Sequence, residues 1–372
     1  MKKVIIALSG GVDSSVAAAL LKKAGFEVEG IFMKLNNFSK NSEERARQVA
    51  KVLKIPIRIL DLRKEFEKEI INKFLEDYKS GITPNPCVIC NKEIKFGKLL
   101  KTALKEKADF IATGHYARVK NNSNLQIKPE CHEYSEHSDK DSNHSNYTLL
   151  KGKDENKDQS YFLWRLDQNQ LKHILFPVGG KTKGEVRKLA KKFKLPTYNT
   201  PASQEICFLP GKINDFLEKK LKAKEGNILD LKGNILAKHK GLWFYTIGQR
   251  KGIGLAGGPY YVIGKDSRKN VLFVSKSEGD LLKKEVLIKE ANWISGKEPK
   301  LPLKVMTKIR YRGKETFAKI YKTKNKKYKV QFSSPQRAVT PGQSAVFYLS
   351  VRSPEGAKGG EGQVLVGGGI IC

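Results

Sequence analysis

The sequence predicts an α/β protein in three parts: a parallel-sheet domain, a small mixed domain and a C-terminal antiparallel β-barrel. Three observations carry that expectation. Short apolar runs alternate with helix-like stretches through the first part, which is the pattern of a parallel sheet covered by helices on both faces. The character changes near residue 209. From about residue 285 the chain breaks into short strand-like runs separated by Gly-, Pro- and Lys-rich turns. The boundaries are placed at 1–208, 209–284 and 285–372.

Taken in order, Val4–Leu8 reads as a first buried strand, Val16–Lys23 as a helix and Val28–Met33 as a second strand. Ser42–Leu53 has helical character, with Ser42 as N-cap ahead of the acidic turn at Glu43 and Glu44. Ile57–Leu60 is a third strand, followed by a helix near Lys64–Tyr78, a second near Lys92–Glu106 and a fourth strand at Phe110–Thr113. Residues 121–146, rich in Asn, Ser, Asp, Glu and His, interrupt this order and read as a flexible insertion. Cys131, His132, His137 and His144 within it are spaced too irregularly to argue for a metal cluster. Gly-Asn-Ile-Leu occurs at 226–229 and again at 233–236, which predicts a short hairpin. Leu303–Tyr311, Thr316–Tyr321, Tyr328–Phe332, Ser344–Leu349 and Gln363–Val366 supply the barrel strands.

Bulk properties narrow the function. Of the 372 residues 39% are hydrophobic, enough for a packed core. Lys and Arg number 71 against 38 Asp and Glu, a formal charge of +33. A field of that sign favours polyanions, nucleic acid first among them, although a lysine-rich composition also arises from solvated helix faces. No run of about 18 apolar residues occurs, so no membrane span is expected. Five irregularly spaced cysteines fit a reducing cytoplasm better than a disulfide framework.

Ser9-Gly10-Gly11-Val12-Asp13-Ser14-Ser15 lies between the first strand and the first helix. Its glycines let the backbone approach an anion closely, and the helix N-terminus offers unpaired N–H groups. It lacks the lysine of a Walker A loop. The loop resembles the SGGxDS motif of the N-type ATP pyrophosphatases (the PP-loop, adenine nucleotide alpha hydrolase-like fold). That resemblance implies cleavage between the α- and β-phosphates of ATP, with Asp13 as a Mg²⁺ contact or a helix cap. It leaves the substrate open.

Asn85-Pro86-Cys87-Val88-Ile89-Cys90-Asn91 is a Pro-bearing loop leading into a helix, where a thiol at the helix N-terminus is expected to have a lowered pKa. Cys207, in Ser203-Gln204-Glu205-Ile206-Cys207-Phe208, lies more than a hundred residues on. Two separated thiols suit persulfide chemistry, in which one carries sulfur and the other releases it by exchange. They also suit a buried apolar cysteine or half of a zinc site.

Together with Gly114–Arg118, Lys157–Phe162, Tyr245–Gly252, Arg310–Arg312 and Thr340–Gln343, these motifs resemble the tRNA-specific 2-thiouridylase family (MnmA/TrmU) along nearly the whole chain. The resemblance implies ATP binding by Ala7, Leu8, Ser9, Gly10, Gly11, Val12, Asp13, Ser14, Met33 and Gly114. It implies Cys90 as nucleophile and Cys207 as the persulfide carrier, the two able to pair as a disulfide. It implies contact with the target base by Asn85, Pro86 and Cys87. Some members carry Asp at the position of Cys87, so that residue does not inherit an acid–base role. The tRNA contacts would be His115, Lys157, Asp158, Gln159, Tyr311, Arg312 and Gln343. The reaction implied is ATP-dependent thiolation of the wobble uridine of the lysine, glutamate and glutamine tRNAs. Its cofactors are ATP and Mg²⁺, and sulfur comes from a cysteine desulfurase or relay protein. Two rivals stay open at this point: an iron–sulfur sulfurtransferase using Cys87 and Cys90, and a non-catalytic RNA-binding protein.

Overall fold

In the computed structural model, which describes residues 1–121, 147–201, 206–209, 211–325, 327–350 and 363–372, a five-stranded sheet has the order β3-β2-β1-β4-β7. The strands are β1 Lys3–Ala7, β2 Glu27–Lys34, β3 Ile57–Asp61, β4 Phe110–Ala112 and β7 Ile174–Leu175, and all pairings are parallel. Val4, Ile5 and Ile6 are fully buried because helices cover both faces of the sheet. On one face α1 (Val12–Lys23) and α2 (Lys40–Leu53) pack over Val4, Ile6 and Phe32. The order reverses between β1 and β4, and the loops leaving their carboxyl ends form the crevice where such sheets bind ligands.

The second helix begins two residues before the expected start. Ser39 occupies the N-cap, and no side-chain cap bond is made there. Ser42 is inside the helix, where its Oγ accepts from Arg45 Nη2 at 3.0 Å. Two longer helical runs contain π-helical stretches that sequence periodicity does not signal. One joins Arg63–Phe66, Glu67–Ile71 and Asn72–Lys79 (α3). The other joins Pro86–Ile89, Cys90–Lys98 and Leu99–Lys105 (α4). π-turns of this kind concentrate at functional sites.

The repeated Gly-Asn-Ile-Leu forms the antiparallel pair β8 (Gly226–Leu229) and β9 (Ile235–His239), in a four-stranded sheet with β10 (Tyr261–Asp266) and β11 (Val271–Ser275). The last strands are β12 (Leu282–Trp293), β13 (Leu303–Lys308), β14 (Thr316–Lys322), β15 (Tyr328–Arg337), β16 (Ser344–Ser350) and β17 (Gln363–Ile371). Pairing of β12 with both β15 and β17 closes them into a six-stranded antiparallel barrel.

A hairpin from the first part, β5 (Ala117–Asn121) and β6 (Tyr147–Lys151), adds to the barrel's sheet through β6 and β17. One buried cluster therefore runs from Ile5, Ile31 and Ile111 through Trp164 to Val346, Tyr348 and Leu365. The expected insertion lies between β5 and β6. Apart from Asn121, it and its Cys131, His132, His137 and His144 fall outside the described residues.

Candidate active site

The loop after β1 turns into α1 at the switch point. Leu8 N–H donates to Ile31 O at 2.9 Å, which fixes the loop's departure from the sheet. Ser14 Oγ accepts from Ser9 N–H at 3.2 Å and donates to the Gly11 carbonyl at 3.1 Å, so the turn is braced by its own hydroxyl. Gly114, just past β4, crosses directly over the start of α1. A Cβ there would lie 2.6 Å from Ser14 N and 2.8 Å from Asp13 C, so only glycine lets the two loops meet. Ala7 and Leu8 are buried, Ser9 is exposed, and Met33 is half-buried at the end of β2.

Asp13 is not a free carboxylate. Lys183 Nζ donates to both of its oxygens, at 2.6 and 2.7 Å, and Tyr116 Oη–H donates at 2.7 Å. The same ammonium lies 5.8 Å from the centre of the Tyr116 ring. Lys183 is the first residue of a helix, Lys183–Lys192 (α5), entered through a capping box between Thr182 and Glu185. Its backbone N–H donates to Asp154 Oδ2 at 2.8 Å.

The cysteines gather beside this crevice. Cys90 is buried in an apolar cluster with Phe66, Phe74, Ile94 and Phe208, and Met33 and Ile206 pack at its edge. Phe208 is clamped edge-on by Phe66 and Phe74, at ring distances of 5.6 and 5.3 Å. That anchor sets down the neighbouring Cys207, which is exposed and whose carbonyl accepts from Asn36 Nδ2 at 3.4 Å. Cys87, Cys90 and Cys207 are all free thiols.

The expected low pKa at Cys90 is not found. The helix starts at Pro86, so Cys90 is a full turn inside it, and burial pushes its thiol up to about 12. Burial likewise pushes Cys87 up to about 11. Desolvation of the thiolate is the largest cause at both, opposed only by the charge of Lys95.

Asn85 is the N-cap residue of this helix, without a side-chain cap bond. Its loop is zipped to the barrel: Thr83 N–H donates to Pro341 O at 3.1 Å, and Gln343 Nε2 donates to the Thr83 and Pro84 carbonyls at 2.9 and 3.2 Å. Asn85, Val88, Trp164, Gly342 and Ser344 line a cavity of about 340 Å³ at this junction.

The expected RNA contacts divide by exposure. Lys157 and Arg312 are exposed. Tyr311 is half-buried, with its ring 4.5 Å from that of Phe162. Gln159 is held to Tyr116 by two bonds, N–H to O at 2.8 Å and Oε1 from Tyr116 N–H at 3.1 Å.

His115 and Asp158 are buried and committed elsewhere. His115 Nδ1 shares a 2.7 Å bond with Thr113 Oγ1 between Phe96 and Phe176, and burial holds its pKa well below the usual value. Asp158 accepts from Gly152 N–H at 2.9 Å, Ser160 N–H at 3.1 Å and Ser160 Oγ at 2.8 Å. Both are internal struts in this structure and not surface contacts.

With this geometry in place, the comparisons with known proteins decide the family. Three family models match end to end: a tRNA methyl transferase HUP domain over residues 2–211, a tRNA methyl transferase PRC-barrel domain over 214–276, and an aminomethyltransferase beta-barrel domain over 283–371. A protein named tRNA-specific 2-thiouridylase MnmA from Halothermothrix orenii is 44% identical over 387 residues, covering 100% of this chain and 99% of that one. The protein of the same name from Syntrophomonas wolfei is 40% identical, covering 99% of each.

The chain belongs to the MnmA family. Solved structures overlap it more loosely. A U34-tRNA thiolase NcsA from Methanococcus maripaludis, with its 4Fe-4S cluster, is 20% identical at a TM-score of 0.34 over 55% of this chain and 61% of that one. NMN synthetase from Francisella tularensis is 16% identical at 0.33 over 54% and 66%.

Within this MnmA-family site the motifs had not flagged two lysines. Lys183 breaks a rule that makes it visible in retrospect: a cation in the first turn of a helix opposes the dipole, so its position needs another reason, and Asp13 supplies one. Lys95 is the cation whose field acts on Cys87, Cys90, Cys207 and His115 alike. It lies in the π-helical stretch that begins at Cys90.

Proposed function

We propose that this protein uses ATP to activate the 2-oxygen of the wobble uridine of tRNA and replaces it with sulfur carried on Cys207. The observation that carries the reading is the convergence of Cys90 and the Phe208-anchored Cys207 segment on Met33, at the edge of the sheet that holds the nucleotide loop.

In this reading the loop Ala7–Ser14, Met33 and Gly114 hold ATP, and Lys183 trades Asp13 for the phosphates. Asp13 fits a Mg²⁺ ion that arrives on ATP, since Mg²⁺ is commonly held by one or two carboxylates plus phosphate oxygens. The ion would supply neutralisation of phosphate charge. Asn85, Pro86 and Cys87 border the target base, while Lys157, Gln159, Tyr311, Arg312 and Gln343 face the RNA. Asp158 braces the turn carrying Lys157 and Gln159 through the Gly152 and Ser160 N–H groups, and His115 packs between Phe96 and Phe176. Residues 1–208, 209–284 and 285–372 act as catalytic, bridging and RNA-contacting parts.

The uracil O2 attacks the α-phosphorus, the bond to the bridging oxygen of pyrophosphate breaks, and the uracil N3 proton departs. The terminal sulfur of a Cys207 persulfide then attacks C2, and AMP leaves with the oxygen. Cys90 thiolate attacks Cys207 Sγ, releasing the C2 sulfur as a thiocarbonyl, and N3 regains its proton. The resulting Cys90–Cys207 disulfide needs a dithiol reductant for turnover. In a variant of this order, Cys90 first frees hydrosulfide, which attacks C2. Either way Lys95 opposes the burial that keeps Cys90 protonated. The sulfur comes from a cysteine desulfurase or relay protein. The substrates are the lysine, glutamate and glutamine tRNAs of the cytoplasm.

Among the described residues no group of three His, Cys, Asp or Glu side chains is placed to hold a metal. The test is thiolation of unmodified tRNA with ATP, Mg²⁺ and a persulfide source, read as 2-thiouridine by mass spectrometry. ATP-dependent product that is lost in Cys90→Ala and Cys207→Ala supports the proposal. Wild-type amounts of product from both variants sink it.

A further inference from the structure

The Tyr245–Gly252 motif lies outside the cysteine and ATP chemistry, and its surroundings form a cavity of their own. Residues 250–255 and 258–260 line an open concavity of about 540 Å³. The loop is built rather than slack. Gln249 clasps it, accepting from Thr246 N–H at 3.0 Å and donating to Lys251 O at 2.9 Å. Gly248 N–H donates to Val262 O at 2.8 Å, and Val262 N–H to Gln249 O at 3.0 Å. Ile253 is buried in the central apolar cluster, with Leu255 and Tyr260 packed against it.

With its apolar side anchored, the loop turns its polar side outward. Arg250 and Lys251 are exposed, and neither makes an ion pair among the described residues. Gly252, Gly254 and Gly257 have φ of +76°, +82° and +70°. Among the described residues no atom lies within 4 Å of where a Cβ would stand on Gly254 or Gly257, so the backbone there is open to close approach by an anion.

The loop also abuts the barrel. The Cβ position of Gly248 lies 2.6 Å from Ala338 Cβ, 3.6 Å from Arg337 Nη1 and 3.9 Å from Arg310 Nη2. Arg310 itself is held within the barrel, donating to the Ala338 carbonyl and to Thr340 Oγ1, and Arg337 pairs with Glu278, so the exposed cations of the loop are its own Arg250 and Lys251.

We infer that the Arg250–Tyr260 loop is a phosphodiester-binding site for the tRNA backbone, gripping RNA away from the reacting base. This rests on the tRNA reading above. Arg250 and Lys251 would each neutralise a phosphate while the glycine N–H groups take oxygens between them. An RNA ligand is favoured over an acidic protein because the concavity is glycine-lined, so a phosphate can approach the backbone closely, and its exposed charged side chains, Arg250 and Lys251, are both cationic.

The test measures binding of unmodified tRNA to the full-length protein across potassium chloride concentrations, comparing wild type with Arg250→Gln/Lys251→Gln. Lys191→Gln/Lys192→Gln, which removes the same charge from exposed residues at the far end of α5, is the control. Each lost phosphate contact lowers the slope of log affinity against log salt by roughly 0.7–0.9. The loop variant should therefore bind about tenfold or more weakly at low salt, with a slope shallower by about 1.5, an unchanged melting temperature and a control that keeps the wild-type slope. Unchanged affinity and slope in the loop variant would overturn the inference. So would intact tRNA binding with impaired sulfur delivery from a donor protein, which would make the loop a protein-docking site. A wild-type protein that binds no tRNA at any salt would overturn the proposed function as well, and is told apart by needing no variant.

Discussion

At the scale of single residues, burial and pairing decide what each side chain can do. Lys183 and Asp13 hold one another in the free protein, so ATP bound as proposed would exchange partners with both. A charge-assisted hydrogen bond is worth about 1.5–3 kcal/mol. Lys183→Met should therefore raise the KM for ATP by roughly 10- to 100-fold, with Lys183→Arg partly restoring it, while tRNA affinity stays near wild type. Steady-state kinetics and a binding titration separate these. The thiols give a second expectation. Cys90, pushed up to about 12 from an ordinary 9.0, folds as a neutral group. Its contribution to stability is complete below about pH 9 and is lost as pH rises toward 12, because the unfolded chain ionises first. Denaturation at pH 8 and pH 10.5 should show a loss of stability that Cys90→Ala reduces. Cys207 is an exposed residue, although desolvation raises its thiol as well; alkylation at pH 8, followed by mass spectrometry, should label it before the fully buried Cys90.

At the scale of elements, the active segments are held by aromatic packing and by close backbone crossings. Phe208 is 4% exposed and touches Phe66, Phe74 and Phe216. Truncation of such a side chain costs about 3–5 kcal/mol. Phe208→Ala should lower the melting temperature and slow sulfur transfer more than ATP binding, because the Cys207 segment loses its anchor while the nucleotide loop keeps its own bonds. Gly342 works at the barrel's edge. It has φ +90°, and a Cβ would meet Ile82 Cγ2 at 2.1 Å and Thr83 O at 2.8 Å. Gly342→Val should push the barrel off the Ile82–Asn85 loop and cut thiolation at saturating ATP, with the ATP KM little changed. An equal loss of ATP binding would show that the two regions are coupled more tightly than this contact implies.

At the scale of the whole molecule, charge and a shared core dominate. The +33 charge should make tRNA affinity fall linearly on a log–log plot against salt. The drop is roughly 10³- to 10⁵-fold between 50 and 200 mM if six to ten phosphates are engaged. Weak salt dependence would mean that most lysines face solvent. The barrel and the parallel sheet share one buried cluster, from Ile5 to Tyr348. Trp164 Nε1–H donates to Ser344 Oγ at 3.0 Å and Tyr161 Oη–H to Ser344 O at 3.0 Å, so the bridge between them is packed as an interior.

The sequence by itself determined the parallel sheet, the hairpin at 226–239 and most barrel strands, because apolar alternation and turn residues are local signals. The loop Ser9–Ser15 was equally legible, since glycine before a helix start is a local requirement for anion binding. Strand β12 (Leu282–Trp293) was not legible. It carries no clean alternation, and only its pairing with β15 and β17 makes it a strand. The π-turns at Glu67–Ile71 and Cys90–Lys98 were hidden for a similar reason: they depend on what packs against the helix. The chemistry divides in the same way. The motifs point to Cys90 and Cys207 as the thiols to test. Tertiary structure alone decided that Cys90 is buried and protonated, that His115 and Asp158 are struts, and that Lys183 neutralises Asp13. Those properties depend on desolvation and on partners up to 170 residues away in sequence, and neither quantity is defined until the chain has folded.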